Sequence, residues 1–168
     1  MPKKLIIIAI IISILCLNKQ EKIIIPKNSI RFRVIANSNT TEDQNLKKQI
    51  VTNLSKELIK TNTSKSIEDT RKYIKKELPL FTNIVDKTLR ENNLKKDFHI
   101  NYGKNYFPQK NYNGITYEAG EYESLVITLG EGVGNNFWCV LFPPLCFIEE
   151  ENKTEYKSIV KEVIEKYF

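Results

Sequence analysis

The sequence predicts an α+β fold: a single domain in which a small, mostly antiparallel sheet packs against two or three long helices, with a further helix at the C-terminus. Two observations carry this. Apolar and polar residues alternate around positions 30–36, 98–102 and 125–129, the period of half-buried strands. Between 41 and 91, and again after 152, apolar residues recur at helical spacing. At 168 residues, without an internal repeat, the chain has room for one core.

The N-terminus sets the compartment. Lys3 and Lys4 precede Leu5 to Leu17, thirteen residues whose only clearly polar member is Ser13, and polar chain resumes at Asn18-Lys19-Gln20. A short basic segment followed by an apolar run of this length is a secretory leader, and the run is too short for a comfortable transmembrane helix. No small-x-small cleavage site stands out, so residues 1–18 read as a signal peptide or an N-terminal membrane anchor. Residues 19–28 read as a linker that includes Ile23 to Pro26, and 29–168 as an extracytoplasmic domain.

Within that domain, Ile30, Phe32, Val34 and Ala36 alternate with Arg31 and Arg33, a strand ended by Asn37-Ser38-Asn39. Thr41 with Gln44 forms a capping-box pattern, and Leu46, Ile50, Leu54 and Leu58 make one stripe of a helix over about 41–60. Ser66 with Asp69 starts a second helix, which Pro79 should kink or restart before it ends near Asn92-Asn93. Phe98, Ile100 and Tyr102 form a strand, the Gly/Asn/Pro-rich stretch 103–120 a hairpin or short strands, and Leu125, Ile127 and Leu129 the inward row of another strand. Asn152 with Glu155 caps a last helix that carries Tyr156, Ile159, Val160, Val163, Ile164 and Tyr167 on its apolar side.

Composition excludes several chemistries. His99 is the only histidine, and the three cysteines include one in the leader, so a Ser-His-Asp set, a Cys-His set or a zinc site is hard to assemble. The sequence calls for no metal and no cofactor. Gly130-Glu131-Gly132-Val133-Gly134 is glycine-dense but lacks the Lys-Ser/Thr of a phosphate loop and reads as a turn leaving a strand. Glu118, Glu121, Glu123 and Glu131 cluster in sequence, and paired carboxylates can in principle serve as the acid and base of a sugar hydrolase, although a solvated face is the ordinary reading. Net charge is +6, and removing Lys3 and Lys4 leaves 24 basic against 20 acidic residues, or +4. A balance this mild requires no nucleic acid.

The unusual segment is Asn136-Phe137-Trp138-Cys139-Val140-Leu141-Phe142-Pro143-Pro144-Leu145-Cys146-Phe147-Ile148, with the only tryptophan and both cysteines beyond the leader. Its prolines suggest a stiff apolar loop. Cys139 and Cys146, flanking Pro143-Pro144 in an exported chain, are placed for a disulfide, with a reduced buried pair as the alternative. Aromatic anchors make Phe137, Trp138, Leu141, Phe142, Pro143 and Pro144 the candidate partner-binding residues. Trp138, Phe142 and the prolines are expected at the surface, Val140 and Phe147 in the core.

Ile30-Arg-Phe-Arg-Val-Ile-Ala-Asn-Ser38, Glu42-Asp-Gln-Asn-Leu-Lys47, Tyr106-Phe-Pro108, Ala119-Gly-Glu-Tyr122 and Asn136-Phe-Trp-Cys-Val-Leu-Phe-Pro-Pro-Leu-Cys146 together resemble the stage II sporulation protein R family of endospore-forming bacteria. The likeness covers roughly residues 28 to 148. Arg33, Asn39 and Phe137 stand where the family commonly has histidine, aspartate and tryptophan. The resemblance implies a signal made in the forespore and exported into the space between forespore and mother cell. Its partner would be a mother-cell membrane aspartic protease, stage II sporulation protein GA, which then processes pro-sigma-E. The leader would keep the chain close to a membrane, and the role needs no catalysis by this chain. The competing reading is a secreted enzyme acting on cell-wall glycan or on a septal protein.

Overall fold

A computed structural model describes residues 23–94, 97–112, 115–146 and 153–168, with side chains from 157 onward in the last stretch. The leader, Asn152 and Phe147 lie outside the described residues. In chain order the elements are β1 (Ile23–Ile24), β2 (Ile30–Ile35), α1 (Thr41–Leu58) with a 3₁₀ turn at Ile59–Thr63, and α2 (Ile67–Glu91). There follow β3 (Phe98–Phe107), β4 (Lys110–Tyr112), β5 (Ile115–Tyr117), β6 (Gly120–Leu129), β7 (Asn136–Phe142) and α3 (Lys153–Tyr167). The α+β class expected from periodicity holds.

The main sheet has strand order β3-β6-β2-β7 and is mixed. β3 with β6 and β2 with β7 are antiparallel, while β2 runs parallel to β6 with Phe32 beside Leu125 and Val34 beside Ile127. That parallel pair is possible because the chain passes through α1 and α2 to the end where β2 finishes, and β3, antiparallel to both strands, then carries it back to the end where β2 starts. A smaller sheet, β1-β5-β4, stands apart. Ile23 and Ile24, expected in a linker, pair with Ile115 and Thr116 of β5, and Ile25 is buried.

One face of the main sheet is the core. Ile30, Phe32, Val34, Leu125, Ile127 and Leu129 meet Leu46, Ile50, Leu54 and Leu58 of α1 and Ile74, Phe81, Val85 and Leu89 of α2. The cap of α1 sits one residue earlier than its pattern suggests: the Thr40 hydroxyl accepts from the Asp43 amide at 3.3 Å. Ser66 caps α2 in the same way. Helix α2 runs through Pro79 without a break, contrary to expectation. Pro79 is exposed, so the hydrogen bond it forfeits falls on the solvent side, where water replaces it. The buried stripe on both sides of it holds the helix to the sheet.

The expected apolar loop is instead strand β7. Its prolines follow Phe142 and never enter the ladder with β2. The pairing shifts between Ile30/Phe142 and Arg31/Val140, so Leu141 is an extra residue in β7. This bulge turns Phe142 to the same side as Ile30, and Leu141 and Phe142 both enter the core. Phe142, expected at the surface, is 3 % exposed and packs its ring 5.1 Å from that of Tyr167. Beyond β7 the chain turns over a cis Phe142–Pro143 peptide. Helix α3 buries Val160 against Ile25, Ile115, Val140 and Leu145, closing the small sheet as a satellite core.

A polar lock joins the β2–α1 connection to the glycine turn. Buried Asp43 accepts from the Asn37 amide at 2.7 Å and the Ser38 hydroxyl at 2.6 Å. The side-chain oxygens of Asn37 and Asn39 accept from the amides of Glu131 and Asn135. Gly130 and Gly132 have positive φ there, so the glycine-dense run is a turn held by side chains and its amides do not form an open phosphate cradle.

Candidate docking groove

Strand β2 sends Ile30, Phe32 and Val34 into the core and therefore Arg31 and Arg33 to the opposite face of the sheet. The ladder sets Arg31 beside Ser124 and Val140, and Arg33 beside Val126 and Trp138. Phe107 of β3 and Tyr122 of β6 reach the same face. The result is a row of alternating cations and rings. The Arg31 guanidinium lies 3.3 Å from the Tyr122 ring centre and 5.4 Å from that of Phe107. Arg33 lies 5.0 Å from Phe107 and 5.1 Å from Trp138, and the Lys110 ammonium is 5.9 Å from Trp138. Phe107 and Trp138 meet edge to face at 5.2 Å.

Arg31 is the unusual member. It is 2 % exposed, and burial pushes its guanidinium below its ordinary pKa, against the attraction of Tyr122, Tyr117 and Glu118. Its Nη1 donates to the Glu118 carbonyl at 3.4 Å, while Nε and Nη2 are buried with no hydrogen-bond partner among the described residues. Nε of Arg33 is in the same condition. Elsewhere the chain completes such a fork: Arg71 of α2 donates from Nε and Nη2 to the two carboxylate oxygens of Glu123 at 2.8 and 2.7 Å.

A cavity of about 720 Å³ opens on this face, lined by Arg31, Phe107, Lys110, Tyr112, Trp138 and Val140 among others. Residues 135–140 all line it, although successive residues of β7 point to opposite faces. The cavity therefore follows the flank of β7, across from Lys110 and Tyr112 of β4.

The candidate partner-binding residues separate here. Phe137, Trp138 and Pro144 are half-buried, whereas Leu141, Phe142 and Pro143 are buried and present no surface. Cys139 and Cys146 meet with Cα atoms 5.4 Å apart, within disulfide range. Of the acidic cluster, Glu121 and Glu131 are exposed, and Glu123 is tied to α2 and β3. His99 is exposed on β3. Sequence reasoning missed Arg31 and Arg33 because polar residues alternating along a strand read as solvent-facing. The discoverable signal was Phe107 and Tyr122, large rings placed out of register with the core row.

Residues 26–152 match the family described as Stage II sporulation protein R. Stage II sporulation protein R of Bacillus subtilis (strain 168) is 38% identical over 160 residues, covering 88% of this chain and 70% of that protein. No solved structure matches. The matched span runs from β2 through the cation–ring row to both cysteines, and on that extent the chain belongs to the stage II sporulation protein R family.

Proposed function

We propose that the chain is an exported sporulation signal. It leaves the forespore, reaches the intermembrane space and activates the mother-cell membrane aspartic protease, stage II sporulation protein GA, which then processes pro-sigma-E. Membership of the stage II sporulation protein R family over residues 26–152 is the observation that carries this reading, and it supports a role in sporulation directly.

The geometry supports action by binding. A ligand that activates an enzyme must bind its active state more tightly than its resting state, and for that it needs a defined contact surface. The groove beside the cation–ring row, walled by half-buried Trp138 and exposed Lys110 and Tyr112, supplies one on the side of the sheet away from α1 and α2. Glu123, the central member of the carboxylate cluster, is occupied by Arg71 and Tyr102.

Reconstitution tests the proposal. The full chain, the protease and pro-sigma-E are co-expressed in a non-sporulating host, with and without residues 1–18. Cleavage of pro-sigma-E that requires this chain is the expected result. Cleavage that proceeds equally without it defeats the proposal.

A further inference from the structure

We propose that the groove along β7 binds an extended peptide segment of the protein partner and that the buried fork of Arg31 receives an Asp or Glu side chain of that segment. This deepens the signalling reading and rests on it for the identity of the partner.

The argument begins with an unfilled demand. A guanidinium buried with two N–H groups unpartnered is costly relative to a satisfied one, because those donors have given up water without a replacement. In Arg31 the two groups are Nε and Nη2, which lie on one edge of the guanidinium. That edge matches the two oxygens of a carboxylate, the arrangement Arg71 makes with Glu123 in this same chain. Stacking on Tyr122 holds the Arg31 plane, and because Arg31 lines the groove, a carboxylate reaches its buried, unpartnered edge from there by displacing the side chains that cover it.

The surroundings select a peptide. Lys110 joins Arg31 in the groove's lining, Arg33 stacks on Trp138 beside it, and among the described residues no carboxylate side chain lines the groove, so the complement is anionic. The cavity, at about 720 Å³, lies within the volume that binding sites commonly offer. It runs between β7 and β4, the end strands of the two sheets among the described residues. A segment lying along strand flanks in this way is held lengthwise, with alternate side chains entering pockets. Trp138 and Val140 provide apolar contact beside the Arg31 fork.

Because Trp138 is the only tryptophan and lines the groove, its emission reports binding. The full-length chain in detergent micelles is used to select from a displayed library of random heptapeptides flanked by constant residues. Recovered sequences are then synthesised with both ends capped and titrated against Trp138 emission. Recovered peptides are expected to share one Asp or Glu next to an apolar residue. Changing that acid to its amide should weaken binding at least tenfold. Arg31→Lys should weaken it by a similar factor, since an ammonium keeps the charge and loses the fork. The proposal is overturned by an absence of enriched peptides, by enrichment without an acid, by an amide peptide that binds equally, or by acetate that saturates the site as tightly as the peptide. The amide peptide needs no protein variant, so it decides the matter even where Arg31→Lys does not fold. These titrations contain no protease. Their failure leaves the activation reading standing, and a reconstitution that fails while acid-dependent binding persists overturns that reading alone.

Discussion

Replacing Glu123 with glutamine tests whether this carboxylate is a structural clamp or a chemical group. Glu123 joins three elements: from β6 it accepts two hydrogen bonds from Arg71 of α2 and one from the Tyr102 hydroxyl of β3 at 2.6 Å. The side chains of Arg71 and Glu123 are 28% and 25% exposed. Breaking a fully buried pair costs about 3–5 kcal/mol, and an exposed pair is worth about 0.2–1 kcal/mol. A three-quarters buried, bidentate pair falls between them, so Glu123→Gln should cost about 2 kcal/mol, or about 6 °C in Tm for a domain of this size. The pH dependence has a definite sign. Hydrogen bonding from Arg71, helped by Tyr102, holds the Glu123 carboxyl below its ordinary value of 4.5 despite partial burial. A depressed carboxyl contributes stability above its unfolded pKa and loses it as pH falls through the folded one. The stability gap between the parent chain and Glu123→Gln should therefore be full at pH 7 and close progressively below the ordinary carboxyl value of 4.5. Urea unfolding followed by Trp138 emission at several pH values measures it, and pro-sigma-E processing is assayed alongside. A gap unchanged in acid refutes the clamp. Processing abolished by Glu123→Gln at parental stability would place this carboxylate in chemistry.

Trp138→Ala should abolish pro-sigma-E processing at a stability cost of about 1–2 kcal/mol, because the indole is half-buried; processing at the parental rate removes Trp138 from the contact surface. Phe142→Ala should instead cost about 3–5 kcal/mol by opening a core cavity, a loss readable by urea melt in the absence of any partner. Changing Cys139 and Cys146 together to serine should lower stability by about 2.5 kcal/mol under oxidising conditions, the value for closing a loop of about eight residues, and a parental melt would show that the pair is reduced. Gly134→Ala should destabilise by about 2 kcal/mol or more, since its Cβ would lie 2.2 Å from the Ser38 carbonyl oxygen, a backbone atom that cannot swing aside; a Tm within 1 °C of the parent's, roughly 0.3 kcal/mol, would show that the lock yields.

What was legible in the sequence was what short-range pattern encodes. The rows Ile30/Phe32/Val34 and Leu125/Ile127/Leu129 and the stripe from Leu46 to Leu58 became strands and a helix with the expected faces buried, because side-chain direction follows from backbone period alone. The Trp138–Cys146 segment was identified as distinctive from composition, and family likeness came from its linear order.

Tertiary structure decided the rest through contacts that no local window contains. The parallel pairing of β2 with β6 joins residues about ninety positions apart. The bulge at Leu141 exists only relative to β2, and it sends Phe142 inward where alternation alone would have sent it out. Pro79 is tolerated because its missing hydrogen bond faces water while Ile74 and Phe81 pin the helix on either side. The arginines illustrate the same point most fully. Arg31 and Arg33 follow strand period and read as solvated, yet Phe107, Tyr122 and Trp138 arrive from three other strands to cover them. Burial of a charge depends on what folds over it, so the unfilled fork of Arg31 belongs to the assembled sheet rather than to its strand.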